Sequence, residues 1–572
     1  MTHPDGKMFT LTKQAKDLLD RFYTSELQVL YKSLSERYSG GDAELASKLY
    51  SYSCAGWFGY SSPVLNSGAG GLPISCFLMY VPDSIHGLIS HTAELRWLSV
   101  LGGGVAGHWD AVRGPSEKSC GTIPFMHTVD ADMTAYWQGR VRRGSYAAYM
   151  SLSHPDIIEF LTMRTPTGDA NRKNLNLHHG VNVTDYFMTC VEKDLTWDLI
   201  DPNTSKTVQT MKARDLWERL LETRFRTGEP YLNFIDAANR CLHPALKTKG
   251  LKIRGSNLCN EIHLPTDKDR TAVCCLSSVN LEMYDEWKDT DLVECVVRML
   301  DNVMEDFISR APTLSAHTAN AVAGASGERS LGVGAMGWAR YLQKHRIPFD
   351  GEIAYNLTDE IFGAIKAAAL SASKKLAAEK GEPPDLVGYG VRNAHLLAVA
   401  PNANSALLLG TSASVEPEIG NAYVHRTRAG SHQIKNPYLE RDLRELNMDT
   451  DKVWESIVAN GGSVQHLMDF PEKLRRVYRT AFEIDQMEIV RQAAVRQRHL
   501  CQGQSVNLFF PIGTDKTKLS NVHRTAWRLN CKGLYYLRTK ANRTSRKVFT
   551  EFFSSAASTS NNKSEECVAC QG

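Results

Sequence analysis

The chain has 572 residues, 42% of them apolar and 23% charged, and its 66 basic and 63 acidic residues leave a net charge of +3. That balance suits a soluble globular protein of several compact units, or one large α/β barrel with additions, and excludes a general nucleic-acid binder with a dominant basic face. No apolar run is long enough for a membrane span, and "MTHPDGKMFTLTKQAKDLLD" lacks the core of an export signal, so the thirteen scattered cysteines are expected to be cytoplasmic thiols rather than structural disulfides.

In chain order, Leu18, Leu19, Phe22, Leu27, Leu30 and Leu34 recur at helical spacing and predict a helical segment within residues 1–60. Residues 61–540 alternate apolar runs with glycine-rich punctuation, the pattern of α/β architecture. Within them, "LGGGVAGHWD" places Gly102, Gly104 and Gly107 at the spacing of a dinucleotide fingerprint, which would suggest a nicotinamide-dependent dehydrogenase. The preceding "HTAELRWLSV" reads as helix, however, and Gly114-Pro115 cuts off the helix that should follow, whereas a dinucleotide fold needs strand, turn, then helix. "IAYNLTDEIFGAIKAAALSASKKLAAEKGEPPD" predicts a long amphipathic helix ended by Gly381. Residues 541–572, rich in Ser, Asn and charge, predict a flexible tail.

The tail ends in Cys567-x-x-Cys570. A structural zinc needs four ligands and no further Cys or His lies nearby in the tail, so a zinc or redox-sensing scaffold is the weaker reading and no metal site is expected. Two cysteines on a mobile tether suit thiol–disulfide exchange between an external reductant and a disulfide it cannot reach. Cys76 in "GGLPISCFLMYVPD" and Cys274 and Cys275 in "RTAVCCLSSVNLE" lie in strand-like apolar runs, where a cysteine is most often inert packing. In "RGSNLCNEIHLP", Asn257, Cys259 and Glu261 occupy alternate positions; in an extended segment an amide, a thiol and a carboxylate would share one face. A buried carboxylate without a partner is costly, so this triplet predicts a site.

Six blocks, "SNLCNEIHLP", "AVCCLSSVNLE", "SSPVLNSG…ISC", "RSLGVGAMGWARYL", "GLYYLRTK" and the terminal "CVAC", together resemble the large catalytic subunit of class I ribonucleotide reductases, in that family's order. The resemblance implies a ten-stranded α/β barrel of two five-stranded halves, with Cys259 on a loop inside it. It implies that Cys259 becomes a transient thiyl radical, that Glu261 acts as base and Asn257 orients the intermediate, and that Cys76 and Cys274 supply two electrons and finish as a disulfide. Cys274 is chosen over Cys275 because "CCLS" matches the family spacing, although adjacent strand residues point to opposite faces. Cys567 and Cys570 would reduce that disulfide and be reduced in turn by thioredoxin or glutaredoxin. Tyr535 and Tyr536 would relay an oxidising equivalent from a separate dimetal-carboxylate small subunit, the main reason to prefer class I over the adenosylcobalamin-dependent relatives.

By the same resemblance, Ser62, Ser75, Gly104 and the run Pro401, Asn402, Ala403, Asn404, Ser405, Ala406 are expected to line the nucleotide substrate site. The run opens a predicted helix whose free N–H groups could hold a diphosphate. Asp83, Arg113 and Arg143 are expected to bind a deoxynucleotide or ATP effector. A homodimer is expected. With 75 residues before Cys76, the chain is expected to be a short form without the family's N-terminal ATP-binding cone.

Overall fold

The computed structural model describes residues 9–22, 26–67, 71–137, 143–427 and 430–540, with side chains undescribed at 20–22 and 424–433. The helical leader is present as Lys13–Phe22, Leu27–Arg37 and Ala43–Cys54. Asp42 caps the third helix by accepting from the N–H groups of Glu44 and Leu45, and its apolar face buries Leu45 and Leu49. Polar anchors bind the leader to the rest: Tyr38 Oη donates to Ser67 Oγ at 2.9 Å and Tyr52 Oη to Asp291 Oδ1 at 2.6 Å. The leader is not a separate unit, because its last residues form strand β1 (Phe58–Tyr60), which pairs into the main sheet.

Four parallel pairings build one side of the barrel from β2 (Cys76–Tyr80), β3 (Gly104–His108), β4 (Tyr146–Ser151), β5 (His178–Val183) and β6 (Tyr231–Phe234). Two antiparallel seams flank these five strands. At one, β7 (Ala272–Asn280) pairs with β2; at the other, β6 pairs with Gly533–Leu534. Beyond β7 the second side continues in parallel through β8 (Leu331–Met336) and single bridges, Val333 to Leu397 and Val399 to Gln504. It reaches Tyr535 through a 2.7 Å bond from Tyr535 N to Val506 O, beside the second seam. This is the α/β barrel the resemblance implied, regular on one side and stitched by short pairings on the other. Its strands are buried on both faces, as in "AVCCLSSVN", which is why they read as continuous apolar runs.

The glycine run before β3 has the reverse order of a dinucleotide site: helix Ile85–Val100 precedes it and a strand follows. The glycines serve packing. A Cβ on Gly107 would stand 1.6 Å from Tyr146 Oη and one on Gly103 2.2 Å from the Phe77 ring. The long helix runs Glu352–Lys380 and stops at Gly381, whose φ of 82° suits glycine. One unit was not legible in the sequence: hairpin Ala422–Thr427/Gly430–Lys435 and the helices after it enclose their own small core around Leu439, Leu443, Trp454 and Tyr478. Among the described residues, no helix is long and apolar enough to cross a membrane.

Candidate active site

The segment carrying Asn257, Cys259 and Glu261 is a tight loop, not the extended run that alternation suggested. Asn260 N bonds to Asn257 O at 3.2 Å, and Asn260 takes φ 61°, a left-handed conformation that asparagine tolerates. The Asn257 side chain enforces the turn, its Oδ1 accepting from Glu261 N at 2.9 Å and Ile262 N at 3.1 Å. Turning, rather than alternation, brings the triplet together. The loop lies inside the barrel, since its partners come from both sides. Tyr149 Oη donates to Asn257 O at 2.7 Å, Asn260 Nδ2 to Leu232 O at 2.9 Å, and Ser505 Oγ to Cys259 O at 2.6 Å. Asn257, Cys259 and Glu261 are completely buried, and Ser505 Oγ lies 3.2 Å from Glu261 Oε2.

The β2–β7 register puts Cys274 directly opposite Cys76. Directly opposed residues of an antiparallel pair have Cα atoms about 4.5–5.5 Å apart, within the range a disulfide spans. Both are buried and not joined in a disulfide, in the same cluster as Cys259. Cys275 faces the other way, its Sγ donating to Leu300 O at 3.4 Å in the outer core. Burial, with the neighbouring Cys275 and Cys76 thiols, pushes the Cys274 thiol well above its ordinary value. Asn257 Nδ2 donates to Cys76 Sγ at 3.1 Å.

Tyr535 and Tyr536 lie between the short strand Gly533–Leu534 and strand Leu537–Lys540. Their ring centroids are 4.2 Å apart but tilted by 51°, and Tyr535 Oη reaches Cys259 Sγ at 3.5 Å. A third phenol, Tyr231 on β6, packs on both, at 4.7 Å from Tyr535 and 5.1 Å from Tyr536. Beside Tyr536 lies a buried charge cluster: Glu229 pairs with Arg164, with His178 Nδ1 at 2.7 Å and with His179 Nδ1 at 3.1 Å, and His178 Nδ1 is 3.3 Å from Tyr536 Oη. Burial alone would raise the Glu229 carboxyl, but Arg164 and His178 outweigh it and hold it well below its ordinary value. Sequence reasoning missed Tyr231, His178, Glu229 and Ser505. The signals were "GEPYLNF" and "LHHGV", where Glu and His stand in otherwise strand-like text.

The other predicted residues divide by what they bond. Asn402 is fully buried, donating to Ser278 Oγ at 2.9 Å and accepting from Ser414 N at 2.7 Å, while Ser405 Oγ donates to Tyr60 O at 3.1 Å. These two side chains therefore fix the helix Ala403–Leu409 to the barrel. The helix begins after Pro401 and carries Ala403, Asn404 and Ala406. Ser75 Oγ and Asn404 Nδ2 are buried polar atoms with no hydrogen-bond partner among the described residues, the condition of groups that meet a ligand. Ser62 begins the short helix after β1, and Gly104 pairs in register with Cys76. Asp83 and Arg113 form an ion pair beyond the C-terminal ends of β2 and β3, the single Arg113 Nε–H shared between Asp83 Oδ2 at 2.9 Å and Oδ1 at 3.1 Å. Arg143 lies instead before the N-terminal end of β4, donating to Asn176 Oδ1 at 2.6 Å, so within one chain the sheet separates it from that pair. Cys567 and Cys570 lie outside the described residues.

The barrel encloses a thiol-bearing loop, with a cross-strand pair of cysteines and a tyrosine pair in the same buried cluster, an arrangement suited to thiol redox chemistry. The sequence profile "Ribonucleotide reductase, barrel domain" matches residues 74–386 and 384–537. The chain is 71% identical over 99% of both chains to a Frog virus 3 (isolate Goorha) protein assigned as a ribonucleoside-diphosphate reductase large subunit. It is 39% identical to the ribonucleoside-diphosphate reductase large subunit of Invertebrate iridescent virus 3, over 98% of this chain and 97% of that one. Among solved structures, the Actinobacillus ureae class Id ribonucleotide reductase alpha subunit superposes with a TM-score of 0.84 at 35% identity, covering 93% of this chain and 98% of the other. This chain belongs to the ribonucleotide reductase large-subunit family.

Proposed function

We propose that the chain is the catalytic subunit of a class I ribonucleoside-diphosphate reductase, converting ribonucleoside diphosphates to 2′-deoxyribonucleoside diphosphates for DNA synthesis. The observation that carries this reading is the line Tyr536, Tyr535, Cys259, which ends in the same buried cluster as the Cys76–Cys274 pair. The ribose C2′ is a poor site for direct displacement, whereas a radical at C3′ lets the neighbouring hydroxyl leave as water. Cys259 suits the carrier's role because the S–H bond it forms on taking the 3′-hydrogen is weak enough to break again when that hydrogen returns to C3′, which regenerates the thiyl radical. Glu261, steadied by Ser505, takes the 3′-OH proton, and Asn257 orients the intermediate. Cys76 and Cys274 then supply two electrons. The balance is one ribonucleotide and two thiols to one deoxyribonucleotide, one water and one disulfide.

The tyrosine pair implies a separate dimetal-carboxylate small subunit as the source of the oxidising equivalent, since phenol oxidation coupled to proton loss makes a feasible relay. The adenosylcobalamin alternative is not favoured: the solved relative is a class I subunit. Cys567 and Cys570 would re-reduce the Cys76–Cys274 disulfide, drawing on thioredoxin or glutaredoxin. Ser75 and Asn404 are the substrate contacts with most support, because their polar atoms are buried and unsatisfied. Asp83 and Arg113 are the better-supported effector pair, with Arg143 apart. An exposed apolar stripe on helix Ile85–Val100, with Ile85 67% and Ile89 64% exposed, supports a homodimer. The deciding experiment is CDP reduction by the full chain with and without purified small subunit, alongside Cys259→Ser. A serine keeps the shape, but its O–H bond is too strong to carry the radical. Small-subunit-dependent activity that vanishes in the variant, while nucleotide binding stays, is expected; turnover by the variant at more than a few per cent of wild type would reject the reading.

A further inference from the structure

The two thiols proposed as the reducing pair each receive one side-chain amide. Asn257 Nδ2 donates to Cys76 Sγ at 3.1 Å, and Gln502 Nε2 donates to Cys274 Sγ at 3.7 Å. Gln502 is completely buried, and all of its polar groups are engaged. The same Nε2 donates to Leu331 O on β8 at 2.8 Å, and Oε1 accepts from His263 N, on the loop that carries Cys259, at 3.3 Å. Its backbone is pinned as firmly: Gln502 N bonds to Leu397 O at 3.2 Å, and Gln502 O accepts from Lys532 Nζ at 2.7 Å and Gln497 Nε2 at 2.8 Å. A side chain held at so many points cannot rotate away from the sulfur it faces. His263 is itself anchored, Nε2 lying 2.8 Å from Asn233 Oδ1, and Asn233 donates to Asn182 at 2.8 Å.

Resting on the reductase reading, we infer that Gln502 is a positioning residue for the reducing dithiol: it fixes Cys274 relative to the Cys259 loop and gives the Cys274 sulfur an N–H donor when the disulfide is reopened. The chemistry asks for one. An incoming thiolate attacks one sulfur of the Cys76–Cys274 disulfide and forms a new S–S bond; the old S–S bond breaks and the other sulfur leaves with the electron pair, to be protonated later. Both cysteines are completely buried, so that departing negative charge is cut off from bulk solvent, and an unpaired buried charge is costly. Asn257 and Gln502 are amide donors already aimed at the two sulfurs. They hold whichever sulfur leaves, and they do so without introducing a charge that would repel a nucleotide diphosphate. Gln502 also explains how a change at Cys274 is felt by the loop, since one side chain touches both.

The test uses Gln502→Glu, which keeps the shape and the acceptor for His263 N but replaces the donor, and Gln502→Met, which removes both. The full-length chain, oxidised by one round of substrate turnover with its small subunit, is re-reduced by dithiothreitol across a pH series, and Cys76 and Cys274 are followed by alkylation and mass mapping. Both variants are expected to form the disulfide but to reopen it about tenfold more slowly at every pH, as loss of about one charge-assisted hydrogen bond to the leaving sulfur requires. Lowered thermal stability with wild-type reopening rate and pH profile would show a purely structural role and overturn the inference. If the Met variant does not fold, the Glu variant decides alone. Absence of any turnover-driven Cys76–Cys274 disulfide in the wild-type protein would instead strike the reductase thiol assignment itself.

Discussion

Cys274 faces Cys76 across the β2–β7 seam, whereas Cys275, the next residue on the same strand, faces the outer core and donates to Leu300 O. Adjacent strand residues point to opposite faces, so two neighbouring thiols of the same chemistry have unlike surroundings. Cys76→Ser and Cys274→Ser should each end repeated turnover supported by dithiothreitol. Cys275→Ser, at a site that only packs, should keep activity within about twofold and cost about 1 kcal/mol of stability. A dead Cys275→Ser with active Cys274→Ser would reverse the assignment.

Tyr535→Phe and Tyr536→Phe should each silence the enzyme while leaving it folded. Phenylalanine retains nearly all the packing against Tyr231, and the lost hydroxyl is worth about 1 kcal/mol. Thermal unfolding and deoxycytidine diphosphate formation, measured on the same preparations, separate the two effects. Activity in either variant would remove the relay.

Glu229 couples the relay's surroundings to pH. Its carboxyl is held below its ordinary value of 4.5, so it contributes stability above that pH and loses the contribution as pH falls toward its folded-state value. Glu229→Gln would strand Arg164 in the interior without its counter-charge, and breaking a buried pair from one side costs about 3–5 kcal/mol. Urea unfolding at pH 7 should show that deficit. Moving below pH 4.5 should narrow the gap, because the unfolded wild-type chain then gains a proton at Glu229 that the folded state resists, while the variant has no carboxyl there. An unchanged gap across that range would mean Glu229 is not the acid-sensitive group.

The tail cysteines make a prediction from sequence alone. Cys567→Ser and Cys570→Ser should spare a single round of reduction by pre-reduced enzyme but stop turnover driven by thioredoxin. A small dithiol should partly restore it, since it diffuses where a protein cannot. Equal loss with both reductants would assign the tail another role.

The sequence by itself determined the local grammar: the leader helices, the long helix closed by Gly381, the doubly buried strands, and the family through ordered blocks around Asn257, Cys259 and Glu261. These depend on short-range periodicity and on residue identity at fixed spacing, which a chain carries without folding. It misjudged the loop, because alternation presumes an extended backbone, and Asn257 instead bonds its side chain to the N–H groups of Glu261 and Ile262 and bends it. The spacing of "CCLS" favoured Cys274 over Cys275 by resemblance, but its place opposite Cys76 is a matter of register between strands nearly two hundred residues apart in sequence, which the tertiary structure sets. It alone brought Gln502 to Cys274 and, through His178, linked Glu229 to Tyr536, contacts that closure of the barrel creates between distant segments. It also set Arg143 apart from Asp83 and Arg113, because parallel strands send residues before and after them to opposite ends of the sheet.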